Sequence, residues 1–338
     1  MKIASIRVTY KNQNNSCLDM DWVLLGIPVG IVLLYFGSDW LVKGGKGLAL
    51  RLGIPPFVIG LTILAFGSSA PECITSIVST HNPGIIIGNV IGSNIANIGL
   101  AIGIAGIISP MAAKYSTMRF ELAVMMITAL ALFVLAFIGY AGVIVGIIFV
   151  VSLFLFVYAV YRMKKDDKEG QEAYVAEVEE DEKPQSYPIL VALVIAGLVM
   201  LYFGARFFVD GAVELAHIFG LSELLIGLIV VAVGTSLPEI CISVIAARRG
   251  ENDMAVANIV GSNIFNVLFV LGIGACLVDV PIPESTIYFH MPIMLLLTAG
   301  MICAAKYKNN ISRPMAACFV AIYIVYVAIM FAIPSLTL

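Results

Sequence analysis

The chain contains itself twice, and that limits its fold more than any other feature. Sliding the sequence by 167 residues lays LYFGSDWLVKGGKGLALRLG (34–53) on LYFGARFFVDGAVELAHIFG (201–220), with nine of 20 positions identical. The same shift lays GLTILAFGSSAPECITSIVST (60–80) on GLIVVAVGTSLPEICISVIAA (227–247) with eight of 21 identical, among them Gly67/Gly234, Ser69/Ser236, Pro71/Pro238 and Glu72/Glu239. After a two-residue slip, GNVIGSNIANIG (88–99) matches ANIVGSNIFNVL (257–268) at six of 12 positions, including Asn89/Asn258, Ser93/Ser262 and Asn97/Asn266. One structural unit has been used twice.

Apolar blocks recur along both copies, each about 20 residues long, the length a helix needs to cross the hydrocarbon layer at about 1.5 Å per residue. Ten are visible: 22–42, 55–80, 84–108, 118–138, 140–162, 188–208, 222–247, 254–277, 288–306 and 314–334. With 61% hydrophobic and 12% charged residues and a mean hydropathy of +1.02, a water-soluble globule is excluded, and no nucleic-acid partner is expected. The expected fold is an all-α membrane protein of ten transmembrane helices in two five-helix repeats. Because five is odd, the second copy enters the bilayer from the opposite side, so the repeats are expected to have inverted topology.

Charge gives an independent check, since short cytoplasmic loops collect Lys and Arg. Alternate connections carry Lys43, Lys46 and Arg51; Lys114 and Arg119; Arg162 to Lys168; Arg248 and Arg249; and Lys306, Lys308 and Arg313, while the intervening ones carry essentially none. After the first span of each copy, Lys43, Lys46 and Arg51 give way to Asp210, Glu214 and His217. Both termini are therefore expected outside a plasma membrane that the chain crosses many times. The expected divisions are a polar tail (1–21) without the apolar core of a cleaved signal peptide, a first repeat (22–163), an acidic cytoplasmic linker (164–187) and a second repeat (188–338), with Met20 an alternative start. Nine of the 22 acidic residues fall in 164–188, the composition of a solvated connection. The six cysteines (17, 73, 241, 276, 303, 318) show neither zinc-ligand spacing nor a disulfide framework, and five of them read as small apolar packing residues.

Glu72 and Glu239 are the acidic residues deepest within spans, where an ionisable group is costly and marks a functional site. In an inverted repeat, equivalent mid-span positions converge near the bilayer midplane. Two such carboxylates cannot both stay charged in low dielectric unless a cation lies between them. The ligands nearby are oxygens: the hydroxyls of Ser68, Ser69, Thr235 and Ser236 and the amides of Asn97 and Asn266. Hard cations such as Ca²⁺ or Na⁺ suit that set. Pro71 and Pro238 lack the N–H that would bond the carbonyls of Gly67 and Gly234, so both helices are expected to break there and to release carbonyls near Ala65 and Ala232. Asp39, Arg206, Glu121 and His290 lie near span ends and read as solvated or snorkelling groups. Asn89 and Asn258 read either as helix bridges or as part of the site.

GSSAPE (67–72) with GNVIGSNIANIG, and GTSLPE (234–239) with ANIVGSNIFNVL, resemble the α-repeats of the sodium/calcium exchanger family in the cation/calcium antiporter superfamily. The resemblance covers both halves. It implies Ca²⁺ export driven by Na⁺ entry, with the two ions as substrates in a lipid bilayer and no cofactor or obligatory protein partner. By motif position it implies that Glu72, Glu239, Ser68, Thr235 and the carbonyls of Ala65 and Ala232 bind Ca²⁺. Ser69, Ser236, Ser93, Ser262, Asn97 and Asn266 would join the glutamates in Na⁺ sites. The chain departs from the family pattern at Ser68, where Thr is usual, and at Ala70, where Leu is usual. Asn266 stands where potassium-dependent relatives resemble one another in having Asp, which argues against K⁺ co-transport. Proton-coupled relatives lack the Ser-x-Pro-Glu form, so proton-coupled exchange of Ca²⁺ or another divalent cation ranks second. About 25 linker residues are too few for the regulatory Ca²⁺-binding domains of animal relatives. An intramembrane acid–base enzyme, a cation channel and a structural scaffold are the rival classes. No His, Cys or metal-ligand constellation accompanies the glutamates as an enzyme would require.

Overall fold

A computed structural model of the protein describes residues 23–81, 83–165, 185–219, 232–333 and 336. The tail 1–21, most of the acidic linker and the start of the block at 222–247 lie outside these residues, as do Met20 and Cys17.

The first half comprises α1 (Gly26–Leu52), α2 (Pro56–Ser68), α3 (Ala70–Val78), α4 (Gly84–Ile108), β1 (Met111–Ala112), α5 (Tyr115–Ile138), β2 (Tyr140–Ala141) and α6 (Val143–Lys165). The second half comprises α7 (Tyr187–Ile218), α8 (Ala232–Thr235), α9 (Leu237–Arg248), α10 (Asn252–Leu277), β3 (Val280–Pro281), α11 (Thr286–Lys308), β4 (Asn310–Ile311) and α12 (Arg313–Ala332). Among the described residues eight helices are long and apolar enough to span a bilayer: α1, α4, α5, α6, α7, α10, α11 and α12. The expected span at 55–80 is instead two shorter helices, because Ser69 leaves the helical path (φ −85°, ψ 5°) two residues before Pro71. Ser236 (φ −89°, ψ 2°) does the same before Pro238, which opens α9 in the first helical turn, where proline's missing N–H costs nothing.

α1 runs ten residues beyond the expected 22–42, so Lys43, Lys46 and Arg51 stand on its last turns and not in a loop. Gly53 ends it at φ 62°, its N–H meeting the carbonyls of Ala49 and Leu50, a left-handed cap that glycine adopts without strain.

Burial orders the helices from centre to rim. In α4 and α10, 72% and 83% of the spanning stretch is buried, against 28% in each of α6 and α12. The outer helices present Phe137, Ile144, Phe154 and Ile324 outward. So continuous an apolar surface belongs against lipid, and the protein is an integral, multi-pass membrane protein. Cys303 and Cys318 lie on this exposed surface, whereas Cys73 is buried as expected of a packing residue.

The two halves grip each other. A Cβ on Gly30 would lie 2.7 Å from the carbonyl oxygen of Gly204, and one on Gly197 would lie 2.8 Å from that of Gly37. Gly44 meets Leu190 further along. Contacts that advance along α1 while receding along α7 mean that these two helices cross antiparallel, and the repeat shift exchanges the two glycine pairs. The short strands behave alike: β1 pairs with β4 and β2 with β3, both antiparallel, so each ladder joins one half to the other. Such close approach supplies the dispersion that holds helices together where water drives nothing.

Three of the side chains expected at solvated span ends are buried. Asp39 is held by Lys43 (2.9 Å) and by Arg249, whose Nε donates to Oδ1 at 2.8 Å. His290 is enclosed, with Nδ1 2.9 Å from the Tyr326 hydroxyl and Nε2 2.6 Å from the Leu336 carbonyl oxygen. Glu121 is likewise buried. Tertiary partners, invisible to hydropathy, account for Asp39 and His290, and the earlier start of α5 at Tyr115 places Glu121 inside a helix. Arg206 remains exposed, 3.8 Å from Asp210.

Because any β-carbon at Gly30 or Gly197 would collide with backbone, Gly30→Ala and Gly197→Ala should each lower stability by about 1–3 kcal/mol. Thermal unfolding in detergent measures this, and two unchanged melting temperatures would mean that α1 and α7 do not touch along this line.

Candidate functional site

The breaks at Ser69 and Ser236 put Glu72 in the first turn of α3 and Glu239 in the first turn of α9. There the positive end of a helix favours a carboxylate. Both side chains are buried, at 1% and 0% exposure. The Ser69 hydroxyl, from the first half, donates to Glu239 Oε1 of the second at 3.2 Å, and the Ser68 hydroxyl lies 3.4 Å from that of Ser262. The motifs of the two copies therefore meet in one buried cluster.

Protein groups leave much of that cluster's oxygen unused. Glu72 Oε1 and Oε2, Glu239 Oε2, Ser236 Oγ, Asn97 Oδ1 and Asn266 Oδ1 are buried without a hydrogen-bond partner among the described residues. A lone unsatisfied acceptor costs roughly 1–3 kcal/mol, and more when charged. Six of them, with two carboxylates among them, are a large uncompensated cost for a lipid-embedded fold. Among the described residues no three His, Cys, Asp or Glu side chains gather into a metal cluster, here or elsewhere. Oxygen donors alone suit hard cations.

Other residues expected at the site are placed as follows. Ser93 and Ser262 are buried, with Ser93 Oγ 3.5 Å from Asn89 Oδ1. Thr235 closes α8 and Ala232 opens it. The carbonyl of Ala65 departs from expectation: it accepts the N–H of Ser69 at 3.1 Å and the hydroxyl of Ser68 at 3.3 Å. The chain breaks after this carbonyl's own hydrogen bond has closed, so the break does not expose it.

Asn89 is a bridge. Its Nδ2 donates to the Glu72 carbonyl at 3.1 Å and to Ser76 Oγ at 3.3 Å, binding α4 to α3 behind the carboxylate. Asn258 Nδ2 meets Ser243 Oγ at 3.3 Å and so binds α10 to α9. Asn94 and Asn263, which sequence reasoning passed over, touch both Asn97 and Asn266. Their signal was present, since the triplet Gly-Ser-Asn is identical in the two copies. A π-helical turn begins at Asn97 and another at Asn266, running to Ile102 and Leu271. Such turns widen a helix locally and cluster at functional sites. A cavity of about 500 Å³, lined by apolar groups of α2, α3 and α7, reaches the cluster at Ser68, Pro71 and Pro238.

A lipid-embedded helical fold with a buried, oxygen-lined cluster shared by its two halves is that of a membrane transporter and not an enzyme. The family model for the sodium/calcium exchanger protein matches residues 22–162 and 189–332, and the chain belongs to that family. It is 35% identical to the membrane protein MJ0091 of Methanocaldococcus jannaschii, across 90% of this chain and 98% of that one. It is 28% identical to the sodium/calcium exchanger MaX1 of Methanosarcina acetivorans, across 90% and 97%. Its structure matches that of the sodium-calcium exchanger NCX_Mj with a TM-score of 0.79 and 31% identity, covering 91% of this chain and 98% of the other.

If Asn89 is a brace, Asn89→Ala should lower stability by about 1–2 kcal/mol and leave ion affinity nearly intact. Melting temperature and transport measured on the same preparation check this, and lost transport at unchanged stability would move Asn89 into the site.

Proposed function

We propose that the chain is a secondary active antiporter that exchanges Na⁺ for Ca²⁺ across the plasma membrane by alternating access. The observation that carries this reading is the set of six buried oxygens without a hydrogen-bond partner among the described residues, five of them from the equivalent pairs Glu72/Glu239 and Asn97/Asn266. Ca²⁺ would be held by Glu72, Glu239, Ser68 and Thr235 with the carbonyls of Ala65 and Ala232. For Ala65 this requires the ion to displace the Ser68 hydroxyl, the longer of the two hydrogen bonds its oxygen accepts. Na⁺ would occupy sites built from the same glutamates with Ser69, Ser236, Ser93, Ser262, Asn97 and Asn266. Similarity to NCX_Mj and MaX1, both known as sodium/calcium exchangers, favours this ion pair.

The topology belongs to the same proposal: ten crossings, counting α2–α3 and α8–α9 as broken spans, in inverted repeats 22–163 and 188–338. The tail 1–21 would lie outside and the linker 164–187 in the cytoplasm. The antiparallel α1–α7 crossing and the exchange of β1–β4 with β3–β2 under the repeat shift favour inversion.

Coupling follows from exclusion. Two carboxylates cannot satisfy Ca²⁺ and a set of Na⁺ ions together, so one load leaves as the other enters. Either load neutralises the site, and a neutral site is one across which the α1–α7 pair can move; two bare carboxylates resist that passage. The ion pairs Asp39–Arg249 and Lys46–Glu251 (3.1 Å) tie α1 to the turn between α9 and α10, and such a tie must change when the pair moves. The second reading is proton-coupled exchange, favoured by the two unpartnered oxygens of Glu72, which a proton would also satisfy.

Ca²⁺ uptake into proteoliposomes under Na⁺, K⁺ or H⁺ gradients imposed one at a time distinguishes these readings. Uptake should follow the Na⁺ gradient alone, and dependence on the H⁺ gradient would favour the second. Glu72→Gln and Glu239→Gln should each reduce Na⁺-dependent flux to background, and near-normal flux in either would remove the site from the mechanism.

A further inference from the structure

We infer that Asn94 and Asn263 are positioning residues that force Asn97 and Asn266 to present oxygen, and not N–H, to the ion site. This rests on the ion site proposed above and assigns a role to two side chains outside its ligand set. The logic starts from two main-chain carbonyls, which can only accept hydrogen bonds. The Asn94 side chain faces the carbonyl of Asn263 at 3.4 Å, so the atom there must be Nδ2. Its Oδ1 is thereby turned the other way and meets Asn266, whose nearer atom must be the donor Nδ2, at 3.1 Å. Asn266 Oδ1 is left pointing away, buried and without a protein partner.

The mirror chain starts from the other carbonyl. Asn263 Nδ2 donates to the carbonyl of Asn94 at 3.4 Å, with the Met125 sulfur 3.9 Å away as a second weak acceptor. Asn263 Oδ1 then accepts from Asn97 Nδ2 at 3.0 Å, and Asn97 Oδ1 is buried without a partner. A side-chain amide has two ends of nearly equal shape and opposite polarity, and only its neighbours decide which end faces a cavity. Here two carbonyls settle the orientation of four amides. The repeat shift of 169 residues exchanges the two chains. With the amides so oriented, a cation meets two carbonyl dipoles, and the formal negative charge at the site comes from Glu72 and Glu239 alone. With either amide reversed, it would meet an NH₂ group.

The test is a double-substitution cycle in proteoliposomes, reading the Na⁺ concentration that gives half-maximal Ca²⁺ flux. Asn94→Ala frees the Asn266 amide to turn and should raise that concentration about tenfold, the effect of losing one hydrogen bond to a ligand, with the maximal rate and the half-saturating Ca²⁺ within about twofold of the unsubstituted protein. Asn266→Asp sets its own reference value. Because a carboxylate offers oxygen whichever way it turns, adding Asn94→Ala to Asn266→Asp should cause no further rise. A merely structural Asn94 would produce the same shift in both backgrounds, and that additivity would overturn the inference. No shift from Asn94→Ala alone would overturn it as well. The mirror cycle of Asn263→Ala with Asn97→Asp, read as Na⁺-dependent thermal stabilisation in detergent, gives the same decision if an Asn94 variant does not fold. Glu239→Gln is run in parallel: flux surviving it defeats the ion site itself, whereas flux lost there with an indifferent Asn94→Ala defeats only the positioning role.

Discussion

Two carboxylates held inside a lipid-embedded fold with too few protein donors are the constraint on which the rest depends. Of the four oxygens of Glu72 and Glu239, one receives a hydrogen bond, from Ser69. Nothing in a hydrocarbon surrounding would tolerate this unless a positive species shares the space. The local architecture fits that demand. Each glutamate stands at the positive end of a helix made by a break two residues before a proline, and Asn89 and Asn258 stitch those helices to α4 and α10 from behind.

Rigidity and mobility are distributed accordingly. α4 and α10 are the most enclosed helices and carry the asparagines and serines of the site. α1 and α7 make their closest approach to each other, backbone to backbone across glycines. Gly67 and Gly234, one in each broken helix, are instead met by Leu198 and Val209 of α7, with only side-chain ends at the nearest points. Side-chain contacts of that kind can be exchanged for others more readily than the interlocked glycine backbones can part. In the alternating-access mechanism proposed above, this packing would let the α1–α7 pair move as one body over the site.

The sequence made the site's chemistry legible because the chemistry had to be repeated. Glu72, Glu239, the Ser-x-Pro-Glu motifs and the two Gly-Ser-Asn triplets stand out once the copies are aligned, and the helix breaks follow from proline. What stayed hidden depends on three-dimensional partners. No pattern indicated that Asn94 and Asn263 lie across from each other, since the residues they touch are 166 to 172 positions away. The burial of Asp39 comes from Arg249, 210 positions distant, and that of His290 from Tyr326 and Leu336. The Ala65 carbonyl was misread for a local reason, since the proline two positions past Ser69 frees a carbonyl further along the chain. The π turns at Asn97 and Asn266 carry no compositional mark.

Where the copies diverge is as informative as where they agree. One turn into α5 and α11 the repeat shift aligns Ser116, Thr117 and Phe120 with Ser285, Thr286 and Phe289, and then Glu121 with His290. The packing is kept: Phe120 stacks on Phe156 at 6.0 Å and Phe289 on Tyr326 at 5.4 Å, both with rings 22° from parallel. The charge is not kept. An ion at a pseudo-two-fold axis draws on both copies at once, so a change there in one copy alone would unbalance the site, and Glu, Ser, Pro and Asn stay paired. Away from the axis, equivalent positions would, in the inverted topology proposed above, face opposite sides of the bilayer, with different loop charge. A carboxylate and an imidazole can there replace one another on an unchanged aromatic scaffold, as Lys43 and Lys46 in one copy give way to Asp210 and Val213 in the other. Symmetry is retained where the ions require it and relaxes where each face of the membrane makes its own demand.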